Sequence, residues 1–247
     1  MCDIFALCAG NNYTAQQYLP IFAEKGRRNM NGWGIGFYRD SRAFVEKSSE
    51  RVYDSEHVHE SFQRLARVVD SRIIVSHISC PLNGGRHSAY NHPFSLSFLD
   101  HVWLFVHVGL VKGINSYQTA NEPRIDVDVY PARVFEYLRD QLVSYMRFTP
   151  YESLARSLTK SIKNLIADYP GYYAFFLANE SVLFAFFNFR SLMLLRESGS
   201  CGNSLVVTSI AEGLSDKGWA EVKPADNTPG KLLVVAGPDV LYLGDLA

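Results

Sequence analysis

A chain of 247 residues, 47% hydrophobic and 20% charged, has enough apolar side chains for one large core or two small ones. Its formal net charge of −1 argues against nucleic acid or an anionic membrane as the main partner. No run of five like charges suggests an interaction tail. In chain order, residues 3–9 (DIFALCA) read as an apolar strand and 14–25 as a short helix. Residues 34–38 and 43–47 read as a strand pair around the turn RDSR. Val58, Phe62, Leu65 and Val69 recur at helical spacing, which predicts a helix over 56–69.

Residues 72–77 and 102–107 are rich in β-branched and aromatic side chains and predict strands, with a loop rich in Pro, Gly, Asn and His over 80–94. Pro131 suits the first turn of a helix over 131–146, and a second helix over 151–167 stops at Tyr169-Pro170-Gly171. The remaining strands fall at 172–178, 182–188, 192–196, 204–209, 232–236 and 239–243. The apolar stretch from Tyr172 to Phe189 is broken by Asn179, Glu180 and Ser181, so it reads as a buried hairpin rather than a membrane span. Two sheets whose apolar faces meet, with helices outside, would bury runs such as VWLFVHVGLV. With no repeat or linker-like stretch, a single domain over 1–247 is expected.

The four cysteines are Cys2, Cys8, Cys80 and Cys201, with no CxxC pair, which argues against a structural zinc site or a disulfide framework. No basic segment followed by an apolar run marks a secretory signal at the N-terminus, so a cytoplasmic protein is expected, with no metal or cofactor. Cys2 stands apart. Once the initiator methionine is removed it carries a thiol nucleophile and an α-amino group, whose reference pKa of about 7.7–8.0 suits proton transfer near neutrality. A small buried residue opening a strand is the plain structural alternative.

Several motifs accompany Cys2: Asn31-Gly32-Trp33-Gly34-Ile35-Gly36-Phe37-Tyr38, Ser76-His77, Asn91-His92-Pro93-Phe94, Phe105-Val106-His107-Val108-Gly109-Leu110, and Val207-Thr208-Ser209 followed by Trp219. In order and spacing they resemble the class II, N-terminal-cysteine glutamine amidotransferases, a branch of the N-terminal nucleophile hydrolases. The resemblance implies an α+β fold, a four-layer αββα sandwich of two antiparallel sheets. It also implies that Cys2 attacks the side-chain amide of glutamine, releases ammonia and leaves a thioester for water to hydrolyse. Gly109 fits the family glycine whose N–H helps to hold the oxyanion. The ammonia would pass to a synthase partner.

Other positions depart from the family pattern. Val108 replaces the asparagine that completes the oxyanion hole, and Ser79 replaces the arginine that pairs with the glutamine carboxylate, with Arg86 in the nearby Gly84-Gly85-Arg86 loop as a possible substitute. Asp126 and Asp128 are candidates for the acidic residue that meets the substrate ammonium, although a gapless match to the helix puts Tyr130 there. Asn31 replaces a more usual aspartate. Asn91 and His92, with His87, lie in the loop expected to border the pocket.

The kept motifs hold the scaffold, while positions 79 and 108 read the substrate, so altered or weakened glutamine recognition is expected. An amidohydrolase for a different acyl group and a non-catalytic binding subunit are the alternatives. Gly32, Trp33, Gly34 and Gly36 suit turn geometry and packing, His77 and His107 read as satisfied core histidines, and His57, His59 and Glu60 as a solvated helix face. Cys8 and Cys201 are expected in the core, and Cys80 is a second thiol candidate.

Overall fold

The computed structural model describes residues 2–24, 26, 32–54, 57–79, 91–146, 151–199, 202–210, 213–214 and 218–246. The first half contains β1 (Asp3–Thr14), α1 (Leu19–Glu24), β2 (Trp33–Arg39), β3 (Arg42–Ser48), β4 (Tyr53–Asp54), β5 (His57–Val58), α2 (Glu60–Val68) and β6 (Asp70–Ile78). The middle supplies β7 (Phe94–Phe98), β8 (His101–Val111), α3 (Tyr130–Tyr145) and α4 (Tyr151–Asp168). Next come β9 (Gly171–Ala178), β10 (Val182–Phe187), β11 (Leu192–Gly199) and β12 (Gly202–Thr208), followed by β13 (Ala220–Val222), β14 (Lys231–Ala236) and β15 (Asp239–Asp245).

The strands form two large antiparallel sheets. One runs β13-β11-β12-β1-β6-β2-β3 and the other β15-β14-β10-β9-β8-β7. Strand alternation explains the layering, because successive side chains leave opposite faces. In β1, Ile4, Ala6 and Cys8 pack into the core between the sheets, while Phe5, Leu7 and Ala9 face Leu19 and Phe22 of α1 and Phe62 and Ala66 of α2. In β8, Leu104, Val106 and Val108 enter the same inter-sheet core, while Trp103 and Phe105 meet Phe135 and Leu138 of α3. Strands buried on both faces must be apolar throughout, which is why these segments read as continuous hydrophobic runs. The result is the four-layer αββα sandwich. No described helix is long and apolar enough to cross a membrane.

Tyr38 ties the two sheets together. From β2 its buried hydroxyl donates to the carbonyl of Ala178 (2.7 Å) and lies 3.0 Å from that of Val102, both on the opposite sheet. Tyr38→Phe is expected to cost about 1–3 kcal/mol, because the buried Ala178 carbonyl loses its inter-sheet donor, and denaturant titration at constant m reads the loss.

Some elements differ from the sequence reading. β1 runs on to Thr14, so α1 begins only at Leu19, and α2 begins at Glu60 because His59 caps it, with Nδ1 accepting the Ser61 N–H at 3.3 Å. The other nitrogen of that ring lies 2.6 Å from Glu50 on the surface, in keeping with a solvated helix end. β7, β4, β5 and β13 were not anticipated.

Candidate active site

Cys2 immediately precedes β1, which lies in the interior of its sheet between β6 and β12. It is half-buried and packs against the inter-sheet core. Arg190, just beyond β10, anchors it. One guanidinium nitrogen donates to the Cys2 carbonyl at 3.1 Å, and the other donates to Oδ1 of Asp3 at 3.2 Å and to the Ser209 carbonyl at 3.4 Å. The Ser209 hydroxyl donates to the same Asp3 oxygen at 3.0 Å, while its oxygen accepts the Ile4 N–H at 3.1 Å. A buried pair of charges with these extra bonds is a rigid mount. Arg190→Ala is expected to destabilise the fold by about 3 kcal/mol, by leaving the Asp3 carboxylate without its cation, and thermal or urea unfolding checks this.

Gly109 lies near the far end of β8. Its φ of +151° lies in the region that favours glycine, and a Cβ there would collide with the carbonyl of Tyr172 on β9. The hydroxyl of Tyr130, the first residue of α3, donates to the Gly109 carbonyl at 2.7 Å. Burial, and secondarily the charge of a Cys2 thiolate, push that hydroxyl up to about 12. Cys2, Gly109 and Tyr130 therefore form one electrostatic neighbourhood. Val108 is buried in the inter-sheet core and offers no side-chain donor.

Tyr130 is held in place by a clamp of charges. Ile125, Val127 and Val129 pack against the helical core, and the alternation turns Asp126 and Asp128 out to solvent. Asp128 lies 3.8 Å from Arg133, and neither aspartate joins Cys2. The buried Glu136 carboxylate accepts the Ile125 N–H at 2.8 Å and a bond from Arg133. Buried Arg139 reaches Asp140, Thr119 and the carbonyls of Pro123 and Asn121. With these polar groups matched, the segment before α3 has a defined path.

Ser79 follows β6, one step beyond the Asp3–Ile78 pair, and so flanks Cys2; its N–H donates to the Gly32 carbonyl at 2.9 Å. Asn91 is buried and its amide donates to the Ser48 carbonyl at 2.7 Å, so its side chain is engaged in holding the loop. His92 follows, and its carbonyl lies where a Cβ on Gly34 would sit, so that glycine lets the loop lie flat on β2. The His92 ring lies 4.4 Å from that of His77 and 4.8 Å from that of Phe94.

His77, His92 and His107 are all buried, and for His77 and His107 the expectation of satisfied core histidines is corrected. None of their six ring nitrogens has a hydrogen-bond partner among the described residues. Burial holds His77 and His107 down at about 3, and His92 well below its ordinary value, helped by neighbouring His77, His107 and Lys47. All three are neutral imidazoles at pH 7. Among the described residues, no group of three His, Cys, Asp or Glu side chains could hold a metal ion. Cys8 is in the core as expected, and Trp33 packs with Phe62. Asn31, Cys80, Arg86, His87 and Cys201 lie outside the described residues.

Arg190 and the Arg133–Glu136 clamp were missed from sequence. Arg190 belongs to none of the motifs, and its only signal is a lone cation directly after an apolar hairpin.

Two antiparallel sheets between helical layers, with a cysteine heading an interior strand, define a sandwich of the N-terminal nucleophile hydrolase type. The family model of the class II glutamine amidotransferases matches residues 1–206, and the chain belongs to that family. A protein described as a predicted glutamine amidotransferase from Pseudomonas aeruginosa PA01 is 15% identical with a TM-score of 0.66, covering 98% of this chain and 100% of its own. The glutamine phosphoribosylpyrophosphate amidotransferase of B. subtilis is 13% identical with a TM-score of 0.66. The match covers all of this chain but only 49% of the B. subtilis enzyme, so the chain spans about half that enzyme's length. A glutamine aminotransferase class-II domain protein from Silicibacter pomeroyi is 14% identical with a TM-score of 0.54, covering 99% of both chains. At these identities the likeness establishes the fold. No curated protein matches the chain.

Proposed function

We propose that this chain is a single-domain, cytoplasmic amide hydrolase of the glutaminase type, with Cys2 as nucleophile after removal of Met1 and with weakened recognition of glutamine. The observation that carries this reading is Cys2 itself, mounted by Arg190 at the head of an interior strand, with Tyr130, bonded to Gly109, within reach of its charge. The α-amine takes the thiol proton and the sulfur attacks the amide carbon. The Gly109 N–H stabilises the developing oxyanion. The C–N bond breaks as the α-ammonium returns a proton to the departing ammonia, and water then hydrolyses the thioester to a carboxylic acid. Ammonia passes to a synthase partner.

Ser79, Val108 and Tyr130 border this centre with neutral side chains, and Asn91 and His92 form a wall of the pocket on this reading, with Arg86 the candidate for a charged contact. Asp126 and Asp128 would have to swing inward to meet a substrate. A missing oxyanion donor typically costs about 10²–10³ in rate.

Intact-mass spectrometry before and after treatment with 6-diazo-5-oxo-norleucine tests the reading. Loss of Met1 and a single adduct on Cys2, absent in Cys2→Ala, is the expected result. Ammonia release should fall at least about 10³-fold in that variant. Equal ammonia release by Cys2→Ala would remove the nucleophile from the proposal.

A further inference from the structure

The backbone at Gly109 is held by three neighbours. Two crowd its Cα: a Cβ there would strike the Tyr172 carbonyl on β9 and would sit 3.2 Å from Cε1 of the His107 ring. The third is the Tyr130 hydroxyl, which donates to the Gly109 carbonyl at 2.7 Å. Glycine is the residue whose two flanking peptides swing most freely, so a bond to its carbonyl removes freedom that no side chain of its own would restrict.

Tyr130 is placed to make that bond from a fixed base. Its ring meets the His107 ring edge-on at 5.8 Å, and His107 meets Tyr173 of β9 edge-on at 5.8 Å. His107 thus spaces the start of α3 from β9 as an aromatic ring. Two residues in the first turns of α3 bind the segment before it: Glu136 accepts the Ile125 N–H at 2.8 Å, and Arg133 donates to the Val127 carbonyl at 3.3 Å. With its hydroxyl pushed up to about 12 by burial and then by the Cys2 charge, Tyr130 stays protonated and remains a donor throughout the neutral range.

We propose that Tyr130 is a positioning residue for amide hydrolysis: by holding the Gly109 carbonyl it fixes the backbone that carries the oxyanion donor. This rests on the reading of Cys2 as the nucleophile and the Gly109 N–H as that donor. Val108 offers no side-chain donor beside it, which leaves more of the work to the one amide. A donor aimed before the reaction stabilises the developing charge without having to reorganise. Tyr130 acts through the backbone and takes no proton in the reaction.

The test is Tyr130→Phe in Met1-free protein, which keeps the ring against His107 and removes the hydroxyl. Its kcat for ammonia release from glutamine should fall about 10- to 100-fold, as for a misplaced catalytic group, with KM within about twofold of the parent value. Alkylation of Cys2 by iodoacetamide forms no oxyanion and should proceed at the parent rate. Tyr145→Phe, at the other end of α3, should leave kcat unchanged. If Tyr130→Phe does not fold, Glu136→Gln loosens the same helix start without touching Gly109, and it should show the same fall in kcat with alkylation preserved. An unchanged kcat, or a loss carried by KM, would overturn the positioning role. So would a parallel fall in alkylation, since Tyr130 would then act on the thiol itself. Turnover that requires Cys2 but ignores Tyr130→Phe sinks this role alone. Equal ammonia release by Cys2→Ala removes the nucleophile, and the role of Tyr130 with it.

Discussion

Moving from pH 7 to pH 5 is expected to destabilise this protein by about 4 kcal/mol through His77 and His107 together. Both are held neutral by burial, down at about 3, whereas an unfolded histidine titrates near 6.5. Above pH 6.5 neither the folded nor the unfolded chain binds these protons, and their contribution to stability is intact. Below it the unfolded chain takes them up and the native one does not. Stability then falls by about 1.4 kcal/mol per pH unit for each histidine until the folded values are reached. His92, depressed further, adds in the same direction. Urea titrations at pH 7 and pH 5 measure the difference, and His77→Leu should flatten the profile by about a third to a half. Equal midpoints at the two pH values would mean that the rings are not buried as neutral imidazoles.

Gly109→Ala should lose about 2–4 kcal/mol of stability and at least about a hundredfold in Cys2-dependent amide hydrolysis. The φ of +151° strains any residue with a Cβ, and the obstacle is the backbone carbonyl of Tyr172 rather than a movable side chain. Relief requires β8 to part from β9, which shifts the Gly109 carbonyl away from the Tyr130 hydroxyl and displaces the amide proposed as oxyanion donor. Denaturation midpoints read the first effect and ammonia release the second. Gly113→Ala separates the cost of φ from that of collision, since Gly113 also has positive φ but nothing within 4 Å of an added Cβ. It should cost only about 1 kcal/mol.

The layers of the fold were legible because both sheets are buried on two faces, leaving runs such as VWLFVHVGLV that only a strand between two apolar layers explains. Short or edge elements were less so. β7 alternates buried and exposed residues over Phe94–Phe98, yet five residues after a Pro-rich loop are too few for the period to stand out. The start of the first helix was misplaced because β1 continues past its apolar segment through Gly10-Asn11-Asn12, where sheet pairing overrides local propensity.

At the candidate site, the family resemblance pointed to Cys2, Gly109 and Ser79, which lie on or beside strand ends. It could not rank Asp126 and Asp128 against Tyr130, because which residues turn inward depends on how Ile125, Val127 and Val129 meet α3. Arg190 comes from a hairpin far along the chain, and its bond to Cys2 spans a separation of 188 residues. That the histidine rings find no partner among the described residues depends likewise on three remote segments meeting.

The interior position of β1 also sets an order of assembly. One edge of β1 pairs with β6, but the other pairs with β12, where Phe5 meets Thr208. Such a distant pairing carries a large loop-closure cost and slows folding. On a ribosome adding about 5–20 residues per second, roughly 10–40 seconds separate synthesis of the first strand from that of its second neighbour. Through that interval the head of β1 has neither Arg190 nor Ser209 to bind it. The mount of Cys2 is thus complete only once Arg190 and β12 have joined β1.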